Sequence, residues 1–275
     1  MADVPAISLN NSTQIPQLGL GVFQIGDAEA VGTVAEALRM GYRSIDTAAG
    51  YFNERGVGRA VAASGLARDD VFVTTKLAND DQGYEETMRA FDASLGLLGF
   101  DYVDLYLIHW PRPHHDRYVD TWRAFEKIYA DGRARAIGVS NFQIPHLVRL
   151  FDETDVVPAL NQIEMHPYLT QSDLRAFHSE HGIVTEAWSP LARGGALLAA
   201  PIVTTVAEKY ARTPAQIVLR WHVQLGNVVI PKSVTPTRIK ENLDVFDFEL
   251  DPDDVEAISD LDAARRTGPN PDTWG

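Results

Sequence analysis

Apolar residues recur along this chain in two alternating registers. Short strand-like runs begin near Leu18, Ser44, Val71, Val103, Ala134, Ala159, Val184 and Asn227. Between them, apolar positions fall at the i, i+3, i+4 spacing of amphipathic helices. The stripes are Ala30-Val34-Leu38, Met88-Phe91-Leu95-Leu98, Trp122-Phe125-Ile128, Leu147-Leu150-Phe151 and Leu174-Phe177. Strand starts are about 25 to 32 residues apart until a longer last step. That step holds two helical runs, Val203 to Ala211 and Pro214 to Leu225, with Thr213-Pro214 opening the second. Ahead of the repeat, two β-like runs between Ile7 and Gln17 flank the turn pair Asn10-Asn11. Eight strands alternating with helices predict an α/β fold, a (β/α)8 TIM barrel with an N-terminal β-hairpin capping its bottom. A doubly wound parallel sheet shows the same alternation; the eight-fold count and the hairpin favour the barrel. Neither a linker nor a low-complexity tract interrupts the pattern, so residues 1–275 read as one domain.

Composition narrows the function classes. With 45% hydrophobic and 23% charged residues the chain is that of an ordinary globular protein. It has no cysteine, which excludes disulfides, thiol nucleophiles and cysteine-held metals and fits a reducing cytoplasm. The opening MADVPAISLN lacks the basic and apolar regions of a secretory signal. No run reaches the ~18 apolar residues of a membrane helix, so a cytoplasmic, monomeric protein is expected. A formal charge of −14 argues against nucleic acid or anionic membrane as partners. Gly19-Leu20-Gly21 begins like a dinucleotide fingerprint, but Gln24 stands where its third glycine belongs. No P-loop is present, and His178-Ser179-Glu180-His181 lacks the spacing of a zinc-protease helix. No metal site is expected.

Candidate chemistry centres on GYRSIDTAAGYFNERGVG, Gly41 to Gly58. Its strand delivers Asp46, and Ala49-Gly50 turns the chain to present Tyr51. Asn53 reads as an N-cap, with Glu54 against the positive end of a helix that buries Val57, Ala60 and Val61. The next two strands end in Lys76 and His109. In a parallel barrel these four side chains meet on one face. Tyrosine is a poor acid, with a reference pKa near 10. A lysine about 4 Å away favours the phenolate by up to ~4 kcal/mol at an effective dielectric near 20. Asp46 would keep that lysine charged, while His109 would orient a carbonyl oxygen or assist a proton relay. The set is equipment for reducing a carbonyl. A structural ion pair beside a packed tyrosine and a core histidine is the competing account.

Reduction needs a hydride, which side chains cannot supply. Val228-Val229-Ile230-Pro231-Lys232-Ser233 runs through Val234-Thr235-Pro236-Thr237 to a helix carrying Arg238, Lys240, Glu241 and Asn242. Cations, hydroxyls and a helix N-terminus converge there as an anion site. Lys232 and Arg238 suit a 2′-phosphate. Elsewhere at strand ends, Ser140-Asn141 and Gln162 offer groups for a carboxamide, and Trp188-Ser189 offers a flat surface for a nicotinamide ring.

The segments GYRSIDTAAGYFNERGVG, VFVTTK, LYLIHWP, GVSNF, NQIEMHP, AWSPLA and IPKSVTPTRIKENL occur in this order from Leu18 to Asp247. In them the chain resembles the aldo-keto reductases, and among these the prokaryotic 2,5-diketo-D-gluconate reductase group. The resemblance implies NADPH-dependent reduction of aldehydes or ketones, with Tyr51 as proton donor, Lys76 and Asp46 as its tuning pair and His109 as carbonyl orienter. It further implies Ser140, Asn141 and Gln162 on the carboxamide, Trp188 on the nicotinamide, and Ser189 and Leu191 beside the cofactor. Lys232, Ser233, Val234, Thr235, Arg238, Glu241 and Asn242 would surround the 2′-phosphate and adenine. The loop Leu191 to Pro201 is shorter than the pyrophosphate clamp of larger members. Phe23, Ala49, Trp110 and Trp274 would line a modest apolar pocket for small aldehydes, α-dicarbonyls or keto sugars. A non-catalytic NADP(H)-binding or structural barrel and a metal- or phosphate-handling barrel are the rival readings.

Overall fold

In a strand, successive side chains point to opposite faces, so each strand of a closed sheet sends one row of residues to the axis and one beneath the helices. The computed structural model describes residues 4–274. Ala6–Ser8 (β1) and Gln14–Pro16 (β2) form an antiparallel hairpin. Eight parallel strands follow: Leu20–Gly21 (β3), Ser44–Asp46 (β4), Phe72–Leu77 (β5), Val103–Ile108 (β6), Ala134–Ser140 (β7), Leu160–Glu164 (β8), Val184–Trp188 (β9) and Val228–Val229 (β10). Each pairs with its sequence neighbour. Parallel bridges from Leu18 to Val229 and from Gly21 to Lys232 close the ring. The expected barrel is found, with its strand starts within two residues of those read from the sequence.

The helices are Asp27–Met40 (α1), Glu54–Ala63 (α2), Tyr84–Leu98 (α3), Tyr118–Ala130 (α4), Ile144–Glu153 (α5), Ser172–Glu180 (α6), Pro201–Tyr210 (α7), Pro214–Gln224 (α8), Pro236–Leu243 (α9) and Pro252–Ser259 (α10). Thr213 and Gln216 form a reciprocal capping box at α8, Gln216 N–H donating to Thr213 Oγ1 at 3.3 Å. The apolar stripe of α10 is not among those read above. Among the described residues no helix is long and apolar enough to cross a membrane.

Two layers fill the barrel. The lower is apolar: Phe72, Leu105, Leu107, Ala136, Leu160 and Val228 pack with Leu9 and Ile15 from the hairpin. The hairpin therefore plugs the bottom, anchored by Asn11 Nδ2 donating to Arg135 O at 2.8 Å. The upper layer is polar and buried, containing Asp46, Lys76, Gln162 and Glu186. A buried polar layer is costly unless every group finds a partner.

The segment after Tyr51 departs from its expected local role. Asn53 occupies the N-cap position of α2, but its side chain caps nothing. Its Nδ2 donates to Val22 O and Ile25 O, both at 2.9 Å, and its Oδ1 accepts from Thr47 at 2.6 Å. Two carbonyls of the buried loop after β3 draw both hydrogens of the Asn53 amide, and this demand outranks the helix end. Glu54 is likewise buried, accepting from Thr75 at 2.6 Å and Ser94 at 3.3 Å. Gly58 is required by close packing, since a Cβ there would lie 1.9 Å from the Leu98 carbonyl oxygen.

Candidate active site

Asp46 ends β4, and a single tight turn, Ala49–Tyr51, then swings Tyr51 over the barrel mouth. Lys76, near the end of β5, is fully buried and has three hydrogens to place. They meet Asp46 Oδ1 at 2.6 Å, the Thr47 carbonyl at 3.0 Å and the Tyr51 hydroxyl at 3.4 Å. Burial works to lower the Lys76 pKa, but Asp46 and Tyr51 outweigh it and the ammonium is held above the usual lysine value. His109 follows β6, its ring 5.5 Å from that of Tyr51 in an edge-to-face arrangement. Burial, reinforced by the Lys76 charge, pushes its imidazole down to about 3, so it is neutral at physiological pH.

Tyr51 behaves differently from the sequence expectation. Burial raises its pKa most, Lys76 lowers it, and Asp46 raises it again, leaving a net rise above 10. The lysine acts in the expected direction. However, its charge is largely matched by the closer carboxylate, and the phenol has been removed from water.

The amide and hydroxyl groups of the site are interlocked. Ser140 Oγ donates to Gln162 O at 2.8 Å, and Asn141 Nδ2 donates to His109 O at 3.0 Å and Ser140 Oγ at 3.1 Å. The Trp188 indole N–H donates to Asn141 Oδ1 at 2.8 Å, which fixes the plane of the ring. Asn141 and Ser189 hold left-handed backbone angles, φ 65° and 49°, at the ends of their strands. Gln162 Nε2 donates to Asp46 Oδ2 at 2.8 Å and to Glu186 Oε2 at 2.7 Å. Glu186 was not singled out in the sequence. It sits two residues before Trp188 inside an apolar strand, and that inward position was its signal.

These groups border a cavity of about 540 Å³ at the C-terminal ends of the strands. Of the residues expected, Phe23, Asp46, Tyr51, His109, Trp110, Ser140, Asn141, Gln162, Trp188, Ser189, Lys232 and Trp274 line it. Lys76 lies behind Tyr51. Ala49 is half-buried off the cavity, and neighbouring Gly50 lines it instead. Leu191 packs against the apolar clusters beneath α7 and α8 and does not line the cavity. Ser233, Val234, Thr235 and Arg238, around the start of α9, and Glu241 and Asn242, in its last turn, stand beyond the cavity. Lys232, Thr235 and Arg238 are exposed there. Thr235 takes the N-cap position without a side-chain cap, so the first amides of α9 face outward. Arg193 reaches the rim from a loop in which residues 192 to 195 all have positive φ. The single cation of that Gly- and Ala-rich loop was the available sign of it.

The C-terminal tail closes the other side. Buried Glu164, at the tip of β8, accepts from Thr267 N–H at 2.5 Å, Thr267 Oγ1 at 2.6 Å, Gly268 N–H at 3.1 Å and His166 Nε2 at 3.2 Å. Gly268 lies so close to Trp188 that a Cβ would be 2.5 Å from the indole edge. Trp274 then packs on Trp110, with ring centroids 4.5 Å apart. Among the described residues no group of three His, Asp or Glu side chains is placed to hold a metal ion. A second cavity, about 500 Å³, lies at the opposite end near the hairpin. Its Asp104 is already paired with Arg68 at 2.7 Å and Arg135 at 3.4 Å.

Known proteins share the sequence and the fold of this chain. The family model described as "Aldo/keto reductase family" matches residues 17–263. An aldo-keto reductase of Mycolicibacterium smegmatis is 55% identical over 270 residues, 98% of each chain. Methylglyoxal reductase DkgA of Escherichia coli is 50% identical over 276 residues, covering 100% of both. Among solved structures, a mutant of Gox0644 in complex with NADPH superposes with a TM-score of 0.95 at 47% identity, covering 99% of both chains.

Proposed function

The chain belongs to the aldo/keto reductase family, and from that premise we propose that it uses NADPH to reduce small aldehydes and ketones, α-dicarbonyls and keto sugars foremost, with Tyr51 as proton donor. The observation that carries this reading is the chain of contacts from Asp46 through Lys76 to the Tyr51 hydroxyl, on the floor of a cavity walled by Trp188.

The residues present fit NADPH. An indole with its plane fixed by Asn141 offers a stacking surface. In a chain of net charge −14, exposed Lys232 and Arg238 beside the open amides of α9 make a local anion site. Trp188 would hold the nicotinamide, Ser140, Asn141 and Gln162 its carboxamide, and the residues around the start of α9 its adenosine 2′-phosphate. When bound, NADPH supplies the hydride.

The side chains provide the remainder. Neutral His109 donates a hydrogen bond to the substrate carbonyl oxygen without carrying charge into the site, and so orients it. Tyr51, fully protonated at neutral pH, hands its proton to the alkoxide, which is far more basic than a phenolate. The phenolate left behind is stabilised by the Lys76 ammonium. Asp46 keeps that ammonium charged and in place. Phe23, Trp110 and Trp274 border the substrate space and exclude water, favouring compact carbonyl compounds.

The test is NADPH oxidation by the purified protein on a panel containing methylglyoxal, diacetyl and a keto-sugar acid. Turnover of at least one small dicarbonyl is expected. No cofactor oxidation across the panel would overturn the reading.

A further inference from the structure

Glu186 is the one ionisable group of the polar barrel layer that the mechanism above does not use. It is 1% exposed, and its backbone is in register with Gln162 on β8 and Val228 on β10. Gln162 Nε2 places one hydrogen on Glu186 Oε2 at 2.7 Å and the other on Asp46 Oδ2 at 2.8 Å. A side-chain amide nitrogen has only two hydrogens. Both are therefore committed to carboxyl oxygens, and turning the amide over would set its carbonyl oxygen against the ionised Asp46 carboxylate. Gln162 lines the cavity with its amide held in this one sense.

The charge balance of the layer is equally specific. Lys76 on β5 carries one positive charge and Asp46 on β4 matches it at 2.6 Å. The other groups that act on or pair with Glu186 are the Tyr51 phenol, the Gln162 amide on β8 and Val228 on β10. None of them can balance a second carboxylate. We propose that Glu186 is a positioning residue of the reductase site: through Gln162 it fixes which atom of that amide faces the cavity, and by remaining uncharged it leaves the Lys76–Asp46 pair balanced. The first half rests on the reading of Gln162 as a carboxamide ligand; the second does not. Burial, then the Asp46 charge, pushes Glu186 up to about 8. Its ionisation would oppose formation of the Tyr51 phenolate.

Two variants and two measurements decide it. The first measurement is unfolding by urea against pH, without cofactor, for wild type and Glu186→Gln. An unfolded glutamate loses its proton near pH 4.3, whereas the folded one keeps it until about 8. Across that window the native state binds the extra proton. Wild-type stability is then fully present below the window and declines as pH rises through it. The folding equilibrium constant of wild type should fall about tenfold per pH unit relative to Glu186→Gln. Parallel pH dependences would mean that Glu186 is already ionised, and would overturn the charge argument.

The second measurement is cofactor affinity by tryptophan fluorescence. Glu186→Leu removes the acceptor and should weaken NADPH and NADH alike by about tenfold, the weight of one hydrogen bond. Glu186→Gln retains an acceptor oxygen and should restore most of that loss. Unchanged affinity in the leucine variant would overturn the positioning role. Wild type failing to bind either dinucleotide would instead sink the functional reading and the Gln162 role with it, while the urea series still decides the charge on Glu186.

Discussion

The Lys76 ammonium lies 2.6 Å from Asp46 Oδ1 and 3.4 Å from the Tyr51 hydroxyl. It therefore serves the carboxylate first and the phenol second. Burial holds the phenol pKa above its usual value, and under the proposed mechanism its proton would leave only to a stronger base, the nascent alkoxide. Tyr51→Phe should lower kcat by about 10²- to 10⁴-fold, the usual weight of a general acid, with NADPH affinity retained. Steady-state kinetics beside a fluorescence titration check both halves; undiminished turnover would mean that another group is the donor.

The same ion pair has a structural consequence. Lys76→Met leaves Asp46 buried without its cation, a change that costs about 3–5 kcal/mol. Urea unfolding should show this loss, and Asp46→Asn introduced on top should recover part of it. Additive losses in the double variant would mean that the pair is not coupled.

At the other end of the proposed cofactor site, Arg238 is exposed on the first turn of α9. Arg238→Ala should weaken NADPH by about 10- to 100-fold, the range of a charge-assisted hydrogen bond, and leave NADH nearly unchanged. Equal losses for the two dinucleotides would remove the 2′-phosphate assignment.

Glu164 holds the tail that carries Gly268 and Trp274 to the cavity. Glu164→Ala should free this segment, speeding tryptic cleavage at Arg265 and Arg266 and raising KM for the carbonyl substrate several-fold, while NADPH affinity moves by less than about twofold. An unchanged cleavage rate would show that the tail is held by its tryptophan packing instead.

Acid should destabilise the protein through its buried histidines. His178 is 0% exposed, bonded to Asn161 and Thr185 at 2.9 Å each, and burial pushes it down to about 3. The unfolded chain protonates this residue near pH 6.5 and the native state does not, so stability is lost as pH falls from 6.5 towards 3. His178→Gln should flatten the acid limb by up to ~1.4 kcal/mol per pH unit in urea midpoints converted to free energy. An unaltered limb would assign the acid sensitivity to other groups.

Much of this was legible in one dimension. Strand and helix alternation follows from local periodicity, so the eight-strand barrel and its hairpin plug could be read directly. Asp46, Lys76 and His109 were legible because a parallel barrel gathers strand ends, and Tyr51 because the tight turn Ala49–Tyr51 follows one of them. The role of Asn53 is not legible locally, because its residue type suits the N-cap of its own helix, whereas the loop after β3 supplies the carbonyls it satisfies. Glu186 was missed because a carboxylate within an apolar strand carries no motif; its meaning depends on Asp46 and Gln162, 140 and 24 residues away in the chain.

The order of the residues thus determined which side chains reach the mouth of the barrel, since side-chain direction and strand polarity are local properties of the backbone. Their charge states were decided only in three dimensions. The rise at Tyr51, the neutrality of His109 and the protonated Glu186 all arise from removal of water and from neighbours on other strands. Electrostatic energy depends on distance through the folded interior, and separation along the chain does not report it.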